Sequence, residues 1–368
     1  MEELRLLIVE DDTEVIETYK RQIDAYNNTN GDNLKINPIF EKEKESGLEK
    51  LRDTNFVFDG AIIDLDLKKS GGDDKSGNEI IKEIKDNLRF PVFVISGTLQ
   101  NLDPDLNKPS SFFKAVSRDD DFDFVKELLD IHNTGILKIL NRKGILEKYI
   151  NKIFWEHISN SVDLWINDDS RDSQQKENSL LRYTLLHIQE YLELKADSDF
   201  ENYHPAEIYI TPPIKDEIFT GDLVKNRESD QYYIVLTPSC DLAHEGRTNN
   251  ILLAKVIKPS EGEINEEKTK IKEGTNKKDA ENRLKNLITN KKSKYHFLPK
   301  YKDLPGGLVD FQSLYSIDKT EVKNFIRLAS LNSSFIKDII ARFSYYYSRQ
   351  GSPDFDINEI YNSLMEND

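Results

Sequence analysis

Short apolar runs that each end in a polar or acidic residue constrain this chain most. They are LRLLIVEDD (residues 4–12), AIIDLDL (61–67) and VFVISGT (92–98). Runs of this length and branching suit strands buried on both faces, which occur when helices cover a parallel sheet. The intervening segments have helical periodicity. TEVIETYKRQIDAY sets Val15, Ile16, Tyr19, Ile23 and Tyr26 on one stripe, with Thr13 available as a cap. SGLEKLRDT, GNEIIKEIKDNL and DFDFVKELLDIH supply further helices. KINPIFEK reads as a weak edge strand because of its proline, and SSFFKAV as a fifth strand. Residues 1–130 are therefore expected to form a doubly wound, flavodoxin-like α/β domain with a five-stranded parallel sheet.

The remaining sequence changes character twice. Residues 131–202 are dominated by helical patterns and read as a helical connector. From residue 203 onward, runs such as AEIYITPP, GDLVKN, QYYIVLTPSCDLA and NILLAKVIKP point to a mixed α+β domain (203–368) containing a small antiparallel β-barrel or sandwich. A basic stretch, residues 268–302, interrupts these strands and reads as a solvated insertion or a phosphate-contacting face. VKNFIRLASLNSSFIKDIIARFSYYYSR is expected to close the chain as a helix.

Composition narrows the function. A chain of 368 residues is long enough for two or three domains, and a formal charge of −16 argues against broad attraction to nucleic acid or anionic membranes. Cys240 is the only cysteine, so no internal disulfide can form and a reducing compartment is the simplest expectation. MEELRLL lacks the features of a secretory leader, and no run is apolar and long enough to span a bilayer. A cytoplasmic protein is expected.

The acids at the strand ends carry the chemistry. Glu10 and Asp11 follow the first strand and Asp64 closes the third. In a doubly wound sheet the carboxyl ends of neighbouring strands face one crevice. Carboxylates gathered there suit a hard cation such as Mg²⁺. Asp64 could then act as a carboxylate nucleophile toward a phosphoryl group. Ser96, closing the fourth strand, and the ammonium of Lys114 would hold the phosphoryl oxygens.

In these motifs, over roughly residues 4–130, the chain resembles the receiver domain of two-component response regulators. The resemblance implies Mg²⁺ bound by Glu10, Asp11, Asp64 and the backbone carbonyl of Asp66, with Asp64 as the phosphate acceptor. Ser96, followed by the small Gly97, would be the switch hydroxyl. It further implies a histidine kinase or phosphotransfer protein as partner, a possible homodimer, and phosphorylation that controls the C-terminal domain. The chain departs from the family pattern in places. Lys108-Pro109 has the family's dipeptide but comes too early, so Lys114 is the preferred phosphate-site lysine. The switch aromatic would fall near Ser111, leaving Phe112 or Phe113 to substitute. The loop after Asp64 is long, and Asp73 or Asp74 could reach the site.

The stretch FTGDLVKNRESDQYYIVLTPSCDLA loosely resembles the SH3-like barrel of PemK-type endoribonuclease toxins. That family leads an arginine into its second strand, whereas here Tyr232 and Tyr233 stand there and Arg227 lies earlier. A receiver-regulated nuclease effector and a non-enzymatic adaptor or phosphate sink are thus alternative outputs. Cys240 with His244 would allow an activated thiol, although a lone cysteine more often packs as a small hydrophobe.

Overall fold

A computed structural model describes residues 2–30, 33–67, 76–193, 202–244, 246–349 and 355–366. The chain divides into two compact units, Met1–Ser198 and Asp199–Asp368. Among the described residues no helix is long and apolar enough to cross a membrane.

The first unit begins with β1 (Glu2–Val9), α1 (Thr13–Asn30), β2 (Leu34–Glu41), α2 (Lys44–Arg52) and β3 (Gly60–Ile63). It continues with α3 (Ser76–Asn87), β4 (Val92–Ser96), β5 (Phe113–Ser117) and α4 (Phe124–Asn133). All five strands are parallel, in the order β2-β1-β3-β4-β5. That is the flavodoxin-like order, whose ligand crevice opens between β1 and β3. Burial follows position. Every residue of β3 and β4 is buried, while β2, carrying Pro38, and β5 lie at the edges and are only partly covered. The stripe foreseen on α1 is real: Ile16, Tyr19 and Ile23 are its buried residues.

The β4–β5 connection departs from a doubly wound pattern. Parallel neighbours need a crossover, usually helical. Here residues 97–112 contain only a single 3₁₀ turn, Leu99–Asn101. Side chains of α3 brace it instead. Asn78 donates to the Asn101 carbonyl at 2.9 Å and accepts from the Asp103 amide at 2.9 Å, and Lys85 donates to the Leu106 carbonyl.

The expected boundary at residue 130 falls inside α4. The next helix, α5 (Ile136–Leu140), buries Leu137 in the sheet's own core, and the Asn141 amide group donates to the Phe58 carbonyl at 2.6 Å. Helical structure then runs through α6 (Ile145–Ile153), a π-helical turn (Phe154–Ile158), α7 (Ser159–Ser161) and α8 (Asp163–Ile166) to α9 (Ser173–Glu193). Tyr149 of α6 stacks on Tyr191 of α9, their ring centroids 5.5 Å apart.

The second unit holds β6 (Tyr209–Ile210), β7 (Asp222–Asn226), β8 (Tyr232–Val235), α10 (Ser239–Leu242) and β9 (Asn250–Ile257). After these come α11 (Gly262–Glu273), α12 (Lys277–Ile288), β10 (Tyr295–Leu298), β11 (Gly307–Asp318), β12 (Phe325–Leu331), α13 (Ser333–Ser348) and α14 (Ile357–Met365). Seven strands form an antiparallel sheet in the order β10-β11-β9-β8-β7-β12-β6. The sheet rolls until its edges meet. Tyr209 on β6 stacks against Tyr301, just past β10, and its hydroxyl donates to the Pro299 carbonyl at 2.8 Å. The expected small barrel is this rolled sheet.

Two local expectations need correction. The closing helix expected from residue 322 begins only at Ser333. Residues 325–331 instead form β12, paired with β7 and β6. The sequence FIRLASL satisfies both periods. Asn332 decides the matter, because its side chain accepts from the Ser334 amide and caps the helix there. The strand expected over QYYIVLTPSCDLA stops at Val235, since Pro238 and Ser239 open α10. The basic stretch folds as the second half of α11, α12 and β10. Part of its charge is balanced within the protein, with Lys292 and Lys294 paired to Glu263 and Lys270 and Arg283 paired to Glu267.

His296 on β10 makes the second unit acid-sensitive. Burial, the dominant cause, lowers its pKa to about 4 from 6.5; Arg342 adds to this and Asp338, 3.4 Å away, opposes it. A depressed folded pKa means that the unfolded chain takes up the proton first. Stability is then lost as pH falls from about 6.5 to about 4, by about 3 kcal/mol. His296→Leu should flatten that dependence in acid-unfolding curves followed by circular dichroism. An unchanged acid limb would contradict it.

Candidate functional site

The sheet register brings the acids together. Val9 pairs with Ile63, and the Asp64 amide donates to the Val9 carbonyl at 3.0 Å, so Glu10 and Asp64 emerge side by side. Glu10, Asp11 and Asp64 each place a carboxylate oxygen within 4.8 Å of the other two. Glu10 is 1% exposed and Asp64 3%. Two desolvated carboxylates in contact resist ionisation. Burial, then the charge of Asp64, raises the Glu10 pKa to about 7 from 4.5. Burial also raises that of Asp64, against hydrogen bonds from Ser96, Leu65 and Asp66 and the charge of Arg118.

Arg118 supplies the local countercharge. Its Nη2 lies 2.8 Å from both carboxylate oxygens of Glu10 and 2.8 Å from Asp64 Oδ2. Burial works against the guanidinium's charge, but Asp64 and Glu10 outweigh it and its pKa is raised. Its Nε is buried without a partner, as are Asp66 Oδ1 and the Tyr19 hydroxyl. The side chain is 29% exposed, so Arg118 stands between the acids and solvent.

The other expected residues are distributed as follows. Ser96 is buried; its hydroxyl bonds Asp64, lies 3.2 Å from Thr98 Oγ1 and accepts from the Thr98 amide. Asp66 contributes its amide to the Asp64 carboxylate. Lys114 is not at the cluster. The β4–β5 register pairs Ser96 with Ser117 and Phe93 with Lys114, which leaves Lys114 near the start of its strand, and its Nζ pairs with Glu127 at 2.6 Å. Arg118, the residue after the strand, holds the place expected of a lysine. Lys108 lies in the 97–112 connection, beside Lys85. Phe113 pairs with Val92 at the far end of β4, so it does not face Ser96 as a switch aromatic. Asp73 and Asp74 lie outside the described residues.

One glycine shapes the backbone at Asp64. A Cβ on Gly77, at the start of α3, would stand 2.3 Å from the Asp64 carbonyl oxygen and 2.7 Å from Leu65 Cα. Only glycine lets the helix approach so closely. The GNE motif read as a helix start therefore also sets the backbone of Asp64.

In the second unit, Gly221 and Asp222 are structural. Gly221 adopts φ +85°, and buried Asp222 accepts from the Phe219 amide (2.7 Å), Arg327 Nε (2.8 Å) and the Ser330 hydroxyl (2.6 Å), joining β7 to β12. Arg227 donates to the Lys323 carbonyl. Cys240 is exposed, with its Sγ 3.6 Å from Asp241 Oδ1.

No protein-family model matches the chain, and no curated protein matches it. Solved structures similar to it include the N-terminal domain of a response regulator/sensory box/GGDEF 3-domain protein from Carboxydothermus hydrogenoformans. It has 14% identity and a TM-score of 0.28 over 36% of this chain and 98% of that one. The phosphorylated cyanobacterial phytochrome response regulator RcpA is similar at 18% identity and a TM-score of 0.26, over 37% of this chain and 92% of that one. A response regulator receiver domain protein from Clostridium thermocellum is similar at 15% identity and a TM-score of 0.27, over 37% and 99%. The likeness is one of fold and concerns the N-terminal part of the chain.

Arg118→Ala should strand two buried carboxylates. Thermal melts at pH 7.5 without divalent ions are expected to show a loss of about 2–4 kcal/mol. Added Mg²⁺ should restore more stability to the variant than it adds to the wild type. A variant as stable as wild type in ion-free buffer would contradict the electrostatic role of Arg118.

Proposed function

We propose that the chain is a phospho-accepting regulator in which Asp64 takes a phosphoryl group and the resulting change controls the C-terminal unit. The observation that carries this reading is the meeting of Glu10, Asp11 and Asp64 at the β1/β3 crevice, with Arg118 against two of them. The donor set fits Mg²⁺: three carboxylates lie close together, two of them buried, and oxygen ligands of this kind suit a hard cation. Glu10, Asp11 and Asp64 would hold the ion, as would the Asp66 carbonyl by resemblance. When bound, Mg²⁺ would neutralise charge on the carboxylates and on the incoming phosphoryl oxygens.

The chain's own residues then divide the work. An Asp64 carboxylate oxygen attacks the phosphorus of a phosphohistidine or small phosphodonor, and the bond from phosphorus to the donor breaks. Ser96 already bonds that carboxylate and can pass its hydroxyl to a phosphoryl oxygen. Arg118 leaves the carboxylates and pairs with the phosphoryl group, where its planar fork matches two oxygens at once. The added charge ties the end of β5 to Asp64, and α4, which begins after six intervening residues, is the element positioned to respond.

A histidine kinase or phosphotransfer protein is the partner that would supply the phosphohistidine. Intact mass after incubation with acetyl phosphate and Mg²⁺ tests it. The wild type should gain one phosphoryl group, and Asp64→Asn and chelator-treated protein should gain none. An equal gain in Asp64→Asn would overturn the assignment.

A further inference from the structure

The second unit combines an uncovered helix with an uncovered cavity. Helix α14 has nine residues and no buried one. Ile357, Ile360, Tyr361 and Leu364 repeat at helical spacing along one face, and they are 79%, 43%, 60% and 68% exposed. Isolated helices of this length are marginal in water, and the Asp356 cap adds only a little. An amphipathic helix this short needs a surface to persist.

A cavity of about 750 Å³ lies between α13, β12 and the segment before β7. Its walls are apolar, with Phe219, Leu236, Ile336 and Ile340 among them, and Lys215 and Lys337 also line it. The one carboxylate in the wall, Asp222, is already paired with Arg327. The cavity is therefore apolar and net positive in a protein of net charge −16. Residues 355–366 carry Asp356, Glu359 and Glu366 and no lysine or arginine.

Chain length permits the two to meet. Arg349, at the end of α13, is fixed by Tyr346, 4.1 Å from its guanidinium to the ring centroid, and by Ser293. The cavity residues of α13, Ile336 to Ala341, lie about 10–18 Å back along the helix from its last residue. Residues 349–355 can span roughly 20 Å when extended. A return antiparallel to α13, the geometry of an αα-hairpin, is within reach.

We propose that α14 docks, apolar face inward, in the cavity of its own chain, with its acidic residues toward Lys215 and Lys337. The docked helix closes the cavity, and the exposed helix is the released form.

Hydrogen exchange of the full-length protein tests this, using wild type, Ile360→Asp and Lys337→Glu. Both substitutions are at side chains on the surface. Amides of 357–365 should exchange at least about tenfold more slowly in the wild type than in Ile360→Asp. Lys337→Glu should lose much of that protection, and protection should not depend on protein concentration. Wild-type amides exchanging as fast as those of Ile360→Asp would overturn the proposal. So would protection that grows with concentration alongside a dimer mass, which would place the helix in a second copy. Protection unaffected by Lys337→Glu would overturn the choice of cavity.

Discussion

Two carboxylates that have given up almost all their water resist being charged side by side, and a cation placed between them offsets that cost. Glu10 and Asp64 are in that position because β1 and β3 pair as central parallel strands, and the residues after Val9 and Ile63 have nowhere else to go. Desolvation raises both pKa values, the charge of Asp64 adds to the rise at Glu10, and the guanidinium of Arg118 offsets the cost. Much of the N-terminal site follows from this. The arginine is held at the end of β5 by the strand register, the Gly77 backbone contact sets the start of α3, and the Ser96 hydroxyl steadies the Asp64 carboxylate from β4. A divalent ion held by these carboxylates would compete with the resident guanidinium of Arg118 for them. Phosphoryl oxygens would give the displaced guanidinium a new partner.

Most of the first unit was legible in its sequence because strands buried on both faces read as continuous apolar runs. The acids at their ends stood out for the same reason, as charges placed where burial should have excluded them. Arg118 was not legible. In KAVSRDDD it reads as one more surface charge beside three acids, and Lys114 drew attention by following an apolar run. The register settles it: Ser117 is level with Ser96, so the next residue, Arg118, and not Lys114 four positions before it, reaches the crevice. Counting from the end of the fifth strand, rather than from its most apolar stretch, would have found it.

The second unit was harder to read because its strands are short and its segments satisfy two periods at once. FIRLASL can present one face as a helix or as a strand, and only pairing with β7 and β6, together with the Asn332 cap, selects the strand. GDLVKN drew attention as a motif of possible chemistry. Its aspartate proves to be fully engaged in tying two strands, with Arg327 as its ion-pair partner. Such a buried pair holds a rolled sheet in register and says nothing of catalysis.

Anomalous diffraction from crystals grown with Mn²⁺ tests the central electrostatic claim most directly. A peak is predicted in contact with carboxylate oxygens of Glu10, Asp11 and Asp64, with the Arg118 guanidinium moved away from both Glu10 and Asp64. An Arg118 still bridging the two carboxylates, with no anomalous signal beside them at millimolar ion, would contradict the account.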